Sequence, residues 1–177
     1  MELVLPKPDL SDDAIVLRAL RPADVPDVAA ACRDPEIVRW TIEIPEGYTE
    51  EHARNWIAST HEGWKKGTAE LAITKKSTGA LAGAIGLVAR QDWIAEIGYW
   101  VAPPFRSRGF ATRALELISA WAEALGFARL QLTILPGNET SARVAAKAGY
   151  VEEGVLRAYA NQRGTISDAS IWSRVRR

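Results

Sequence analysis

Residues 97–115 read Ile97-Gly-Tyr-Trp-Val-Ala-Pro-Pro-Phe-Arg-Ser-Arg-Gly-Phe-Ala-Thr-Arg-Ala-Leu115, a predicted β-strand that passes through a proline-rich turn into a helix start. The first N–H groups of a helix have no partner inside the helix and lie at the positive end of its dipole. Arg106 and Arg108 flank this start, and Gly109 lets a ligand approach the backbone closely. The pattern predicts an anion site suited to a diphosphate, with a solvated helix start as the alternative.

Hydrophobic spacing and turn residues on both sides of this stretch predict the element order β-α-α-β-β-β-α-β-α-β-β. Strands are predicted at 15–20, 70–74, 81–89, 94–101, 130–135, 150–156 and 165–175, and helices at 22–33, 49–66, 109–125 and 138–148. Short turns join the three strands between residues 70 and 101, so these strands form an antiparallel meander. A right-handed crossover then makes the next strand parallel, which predicts an α/β fold with a mixed sheet.

Composition limits the possible domain organisation and excludes several classes of protein. The chain has 177 residues, 47% hydrophobic, and its 22 basic and 22 acidic side chains lack the basic excess of a nucleic-acid binder. One cysteine and two histidines form no metal-ligand pattern, and no segment suits a signal peptide or a membrane span. We therefore expect a cytoplasmic protein without metal, nucleic-acid or membrane partners, built as a flexible leader (1–13) and one domain (14–177).

Three segments of the chain resemble one enzyme family. Arg106-Ser-Arg-Gly-Phe-Ala111 is similar to the Q/R-x-x-G-x-G/A signature of the GCN5-related N-acetyltransferases (GNAT). Ala95-Glu-Ile-Gly-Tyr-Trp100 precedes it, and Asn138, Ser141, Lys147 and Gly149-Tyr150 follow it in the family's order. Together they resemble the RimJ/RimL-type branch over residues 15–175. The resemblance implies the GNAT fold, in which two central strands splay apart.

The resemblance also implies acetyl-coenzyme A (acetyl-CoA) as cofactor, with its pantetheine arm along the splayed strand and its diphosphate on the helix start. The residues that it assigns to the cofactor are Tyr99, Trp100, Val101, Arg106, Ser107, Arg108, Gly109, Phe110, Ala111, Thr112, Asn138 and Arg143. A helix cap at Asn138 is the alternative interpretation, and it is compatible with a contact to the cofactor.

Two residues are candidates for proton transfer. The acceptor amine must be neutral to attack a thioester, and strand alternation places Glu96 on one face with Gly98, where the family uses a base directly or through water. Many family members have a tyrosine where this chain has Ala145, so the resemblance moves the role of acid to Ser141. The alternatives are a surface ion pair for Glu96 and a helix cap for Ser141.

The resemblance implies an acceptor site between the first two helices and the last hairpin. Acidic and aromatic side chains there suit a cationic amine. The candidates are Trp40, Glu43, Glu46, Trp93 and Asp168. Trp56 and Trp64 have helical spacing and are interpreted as core residues.

These observations predict an N-acetyltransferase in which the bound amine attacks acetyl-CoA directly. The predicted acceptor is the amino terminus of a protein or peptide. The alternatives are a small amine, such as an amino acid, polyamine or amine antibiotic, and a non-catalytic acyl-CoA-binding module. The family resemblance also allows a homodimer.

Overall fold

A computed structural model describes residues 2–7 and 9–176, and one mixed sheet runs through it. Eight strands are found in this part of the chain, in the spatial order β1-β2-β3-β4-β5-β6-β8-β7. Their bounds are β1 Leu10–Ser11, β2 Ile15–Ala19, β3 Thr68–Lys75, β4 Leu81–Gln91, β5 Ile94–Val101, β6 Arg129–Ile134, β7 Val151–Gln162 and β8 Thr165–Val175. The α/β class and the meander of β3, β4 and β5 are confirmed.

Five α-helices are described, and local sequence explains where they begin. They are α1 Val25–Ala31, α2 Pro35–Trp40, α3 Glu50–Lys65, α4 Phe110–Ala124 and α5 Glu139–Lys147. The sequence indicated Asp34-Pro35 only as a helix break, but this pair also starts α2. Asp34 caps that helix by accepting a hydrogen bond from the Ile37 N–H (3.1 Å), and proline fits the first helical turn. β1 was likewise not predicted.

The helices cover the sheet on both faces. Leu115 and Ile118 of α4 share one core cluster with Ile97 and Leu130 of the sheet. On the other face, Val28 of α1 and Ile57 of α3 pack against Ala72 of β3. Trp64 is half-buried against the cluster that contains Leu115. Trp56 is half-buried against the cluster that contains Val28. Two acceptor-side elements, α1 and α3, therefore cover the face that carries Ala72.

The sheet opens between β5 and β6. These strands run parallel and pair only at Ile94–Arg129, Ala95–Leu130 and Glu96–Gln131, although both continue further. Beyond Glu96 the edge of β5 that faces β6 has no strand partner among the described residues. The predicted splay of the central strands is confirmed.

The segment predicted as a flexible leader has contacts with the domain. Leu3 is buried, and its N–H donates to the Trp64 carbonyl (2.9 Å). Leu10 and Ser11 pair with β2. The boundary between leader and domain stays a prediction. No helix within the described ranges is both long and apolar enough to cross a membrane.

Candidate active site

The turn before α4 forms a cradle of backbone N–H groups. Ser107 and Gly109 have positive φ angles of 59° and 78°, and Gly109 is the N-cap of the helix. The amides of residues 107–112 donate to no group in the part of the chain that the structure describes. Consecutive free amides at a helix N-terminus are the arrangement that binds phosphate groups. Phe110 contributes its amide here, while its ring is buried and stacks on Phe105.

The two arginines beside the cradle differ in their partners. The Arg106 guanidinium pairs with Asp34 (2.5 Å) and donates to the Val101 carbonyl (3.3 Å). The backbone N–H of Arg106 donates to the Pro103 carbonyl. Burial would raise the pKa of Asp34, but the hydrogen bonds from Arg106 and the Ile37 amide outweigh it and hold that pKa below its usual value. Arg108 is exposed and makes no ion pair with any described residue.

This difference predicts separate effects of two substitutions. We expect Arg108→Ala to weaken acetyl-CoA binding about tenfold without changing the melting temperature, because it removes a free cation beside a phosphate site. Arg106→Ala should lower the melting temperature, because Asp34 loses its partner at the start of α2. Titration calorimetry and thermal melting measure the two effects. An equal loss of affinity in both variants at unchanged stability would mean that Arg106 leaves Asp34 for the phosphate.

Ser141 and Tyr99 meet on the face of β5 that α4 and α5 cover. Their hydroxyl oxygens are 2.9 Å apart, and Asn138 accepts a hydrogen bond from the Ser141 N–H (3.1 Å). Burial raises the pKa of Tyr99 to about 12, with the bond to Ser141 acting in the opposite direction. Asn138 is thus a helix cap that also fixes the turn carrying Ser141. Arg143 is exposed, pairs with Glu139 (3.4 Å) and lies outside this group.

Glu96 lies on the opposite face of the same strand. Its carboxylate accepts hydrogen bonds from Arg90 (2.9 Å) and from Thr133 of β6 (3.4 Å). The second bond bridges β5 and β6 just beyond their last paired residues. Adjacent strand residues point to opposite faces. Ser141, the candidate proton donor, therefore lies at one face of β5 beside its open edge, and Glu96, the candidate proton acceptor, lies at the other.

The predicted acceptor residues are only partly brought together. Glu43 and Glu46 are exposed in the segment between α2 and α3. Trp40 is half-buried and packs against the cluster of Leu135, Ala160 and Ala169. Trp93 is 56% exposed and lies in the β4–β5 turn, at the paired end of β5 and away from the splay. Trp93 is therefore not brought close to Trp40.

Asp168 has a local structural contact. Its carboxylate accepts a hydrogen bond from the Ala158 N–H (2.9 Å), where β7 has a register shift and Ala158 has a φ of 51°. Arg163, which the sequence analysis did not single out, connects the same hairpin to the acceptor side. It donates to the carbonyls of Val38 (3.0 Å) and Ile44 (3.1 Å). The hairpin and the α2–α3 segment are thereby held together.

Two other groups bear on the chemistry. Burial raises the pKa of the Cys32 thiol to about 12, so this side chain stays protonated and suits no covalent intermediate. Glu70 of β3 is a half-buried carboxyl that the sequence analysis missed. The available signal was an acidic residue among apolar strand neighbours, in Ala69-Glu-Leu-Ala-Ile73. No cluster of three potential metal ligands occurs in the described ranges.

Comparison with known proteins identifies the family. Residues 14–151 match the family model described as an acetyltransferase (GNAT) domain. The chain belongs to the GNAT family. This GNAT enzyme is 30% identical to the uncharacterized N-acetyltransferase YoaA of Bacillus subtilis (strain 168), over 96% of this chain and 97% of that protein. It is 26% identical to the uncharacterized N-acetyltransferase p20 of Bacillus licheniformis, over 89% and 92%.

Solved structures share the fold of this GNAT enzyme. The microcin C7 self-immunity acetyltransferase MccE, solved with acetyl-CoA and AMP, has a TM-score of 0.83 at 20% identity, covering 93% of this chain and 94% of that one. RimL, a ribosomal L7/L12 α-N-protein acetyltransferase solved with coenzyme A, has a TM-score of 0.81 at 18% identity, covering 93% and 95%. The GNAT family indicated by the sequence is confirmed.

This GNAT enzyme is an N-acetyltransferase that uses acetyl-CoA. The residues present fit that cofactor. The free amides of residues 107–112 and the exposed Arg108 suit its diphosphate, and the open edge of β5 from Tyr99 to Val101 suits an extended arm. When bound, the cofactor supplies an acetyl group activated as a thioester.

Proposed function

We propose that this enzyme acetylates the amino terminus of a protein or peptide by direct attack of the bound amine. One observation carries the proposal: Gly98 is exposed in the middle of β5, on the face opposite Tyr99, so the sheet is open to solvent at this position beside the helices that cover Ala72. A peptide needs such an open surface, whereas a small cation is better held in an enclosed pocket. Glu96 lies beside the opening and attracts a cationic amine.

Two side chains are proposed to act on the reacting groups. Glu96 attracts and orients the cationic amine, and Ser141 donates a proton to the leaving sulfur. The hydroxyl contact with Tyr99 supports the second role, because it orients the Ser141 oxygen while leaving it at the splay. Amino termini have a reference pKa of about 8, against about 10.4 for lysine, so a terminal amine needs less help to become neutral.

A small amine is the second candidate acceptor. The observation in its favour is the negative charge of Glu43, which acts on the half-buried carboxyl of Glu70. Two acidic groups so placed suit a compact cation. The similar structures include both an acetyltransferase of microcin self-immunity and one of a ribosomal protein, so resemblance in fold supports either acceptor.

A thiol-release assay with acetyl-CoA tests the proposal. The panel contains short peptides with different first residues, free amino acids, polyamines and amine antibiotics. We expect selective turnover of peptides, and turnover confined to a small amine would overturn the assignment. Glu96→Gln and Ser141→Ala should each lower kcat about tenfold to 1,000-fold at unchanged acetyl-CoA affinity. Glu152→Gln, on an exposed residue of β7, is the matched control and should leave kcat unchanged.

A further inference from the structure

Glu70 lies in a row of paired residues that crosses the acceptor face of the sheet. Glu70 of β3 is directly opposite Gly86 of β4, and Gly86 is directly opposite Gly98 of β5. Residues that pair directly across strands point to the same face. Glu96, two residues before Gly98, shares that face. The side chains of Glu70 and Glu96 therefore lie on the same face as Gly86 and Gly98, with Glu70 next to Gly86 and Glu96 next to Gly98.

The carboxyl of Glu70 fills the space above the first glycine. A Cβ atom built on Gly86 would lie 2.5 Å and 2.6 Å from the two carboxylate oxygens of Glu70. Above Gly98 a Cβ would meet no atom within 4 Å. Neighbouring strands are about 4.8 Å apart, so the carboxyl is about one strand spacing from this open space. We name the open space above Gly98, beside the Glu70 carboxyl that lies over Gly86, the glycine trough.

The Glu70 carboxyl is affected by the charge of Glu43 but is not paired with a charged group in the described ranges. It makes no hydrogen bond or ion pair within the described ranges, whereas Glu96 is held by Arg90 and Thr133. Glu43 is the charged group that acts on it, and the charged residues of α3, which packs on β3, are all exposed. Burial, and then the charge of Glu43, raise the pKa of Glu70 to about 7. A carboxyl of this kind exchanges protons near neutral pH.

We propose that Glu70 is a catalytic residue that takes the proton of the acceptor amine bound in the glycine trough. This rests on the proposed N-acetylation and deepens it by naming the proton acceptor. The ammonium gives one proton to Glu70, and the nitrogen lone pair forms the C–N bond with the acetyl carbon. The C–S bond breaks, its electron pair leaves on sulfur, and a second proton from the nitrogen reaches sulfur through Ser141 or water. Glu70 then returns its proton to solvent.

This role favours acceptors with weakly basic amines. A terminal amine, with a reference pKa of about 8, is close to Glu70 in proton affinity, while lysine at about 10.4 is roughly three orders of magnitude more basic than a group near 7. The expected substrate class is therefore α-amines rather than lysine side chains. The free carboxyl, rather than the arginine-bound Glu96, is the group that loses and gains charge during turnover.

The test compares pH profiles of kcat/KM with the acceptor that the panel selects. The parent enzyme should lose activity below a pKa near 7, the value that we assign to Glu70. Glu70→Gln should lower kcat/KM at pH 7 about 100-fold or more and abolish that limb, with unchanged acetyl-CoA affinity. Glu43→Gln should shift the limb to lower pH, because a negative charge is removed. A limb that persists in Glu70→Gln but vanishes in Glu96→Gln would overturn the proposal.

A second readout is independent of the acceptor. In the free enzyme, ¹³C NMR of the glutamate carboxyls should show one group titrating near pH 7, absent in Glu70→Gln. If no such resonance exists, the assignment fails even where peptides are turned over. If only a small amine is turned over, the peptide proposal fails while the pH comparison still decides the role of Glu70. Gly86→Ala, which displaces the carboxyl without changing its chemistry, should reproduce the loss of activity in a folded enzyme.

Discussion

Gly109→Ala should weaken acetyl-CoA binding about 10- to 100-fold, because one substitution disturbs the whole amide cradle. Gly109 has a φ of 78°, which an L-residue adopts only at a cost of about 1–2 kcal/mol. The backbone would relax and turn the neighbouring amides away from a common centre. The added Cβ would also project into the space beside them, where no protein atom lies within 4 Å. Titration calorimetry with acetyl-CoA and with coenzyme A measures the loss.

Gly126→Ala is the matched control for this substitution. Gly126 follows the C-terminus of the same helix and has a φ of 100°, and a Cβ atom added there would likewise meet nothing within 4 Å. Both variants should lose similar stability, since the backbone strain is alike. Only Gly109→Ala should lose affinity. If the two variants bind equally well, the diphosphate is not held by these amides.

Asp24→Ala should lower the free energy of unfolding by about 3–5 kcal/mol, the largest stability effect that we expect from one polar side chain. Its carboxylate accepts two hydrogen bonds from Arg18 (2.7 and 2.8 Å) and a third from the Arg21 N–H (2.8 Å). The side chains of Asp24 and Arg18 are only 9% and 12% exposed, so alanine would leave a nearly buried guanidinium unpaired. Urea unfolding and thermal melting measure the change.

The control is an ion pair of similar length at the surface. Glu62 lies 3.0 Å from Lys65 on α3, and both side chains are 64% exposed. Water and salt screen such pairs, so Glu62→Ala should leave the melting temperature nearly unchanged. Equal effects of the two substitutions would show that Arg18 finds another partner.

The buried pair of Asp24 and Arg18 makes the free energy of unfolding depend on pH in the acidic range. Burial would raise the pKa of Asp24, but the hydrogen bonds from Arg18 and the Arg21 amide outweigh it and hold the pKa below its ordinary value. The stabilisation is therefore complete above the unfolded pKa of about 3.9 and is lost as the pH falls through the lower folded value. Unfolding of the parent protein should accordingly depend more steeply on pH below about 4 than that of Asp24→Ala.

Several features could be predicted from the sequence because they depend on neighbours a few residues apart. Gly109 and the prolines before it end a strand and start a helix, and Asn138 caps α5. Alternation along β5 correctly separates the face of Glu96 from that of Tyr99. Pro35 shows the limit of this reasoning, because the same proline that ends one helix begins another.

Other features depend on which distant residue lies opposite. Arg106 stands in the cofactor signature, yet its side chain pairs with Asp34, 72 positions away. Trp93 suits an amine site by type, but the turn that carries it lies at the wrong end of β5. Asp168 holds a bulge in the neighbouring strand. Residue type alone cannot distinguish these outcomes, because ion pairs and aromatic contacts need a partner in space.

The sequence by itself determined the order of the elements other than β1 and α2, the mixed sheet, the family and the position of the amide cradle, because glycine, proline and capping residues act on the backbone within one or two turns. Only the tertiary structure decided that Tyr99 holds Ser141, 42 residues further on, and that Glu70 lies above Gly86. Strand register and the packing of the helices on the sheet decide these contacts. Register is set by the packing of the whole sheet against its helices, and no single segment contains it.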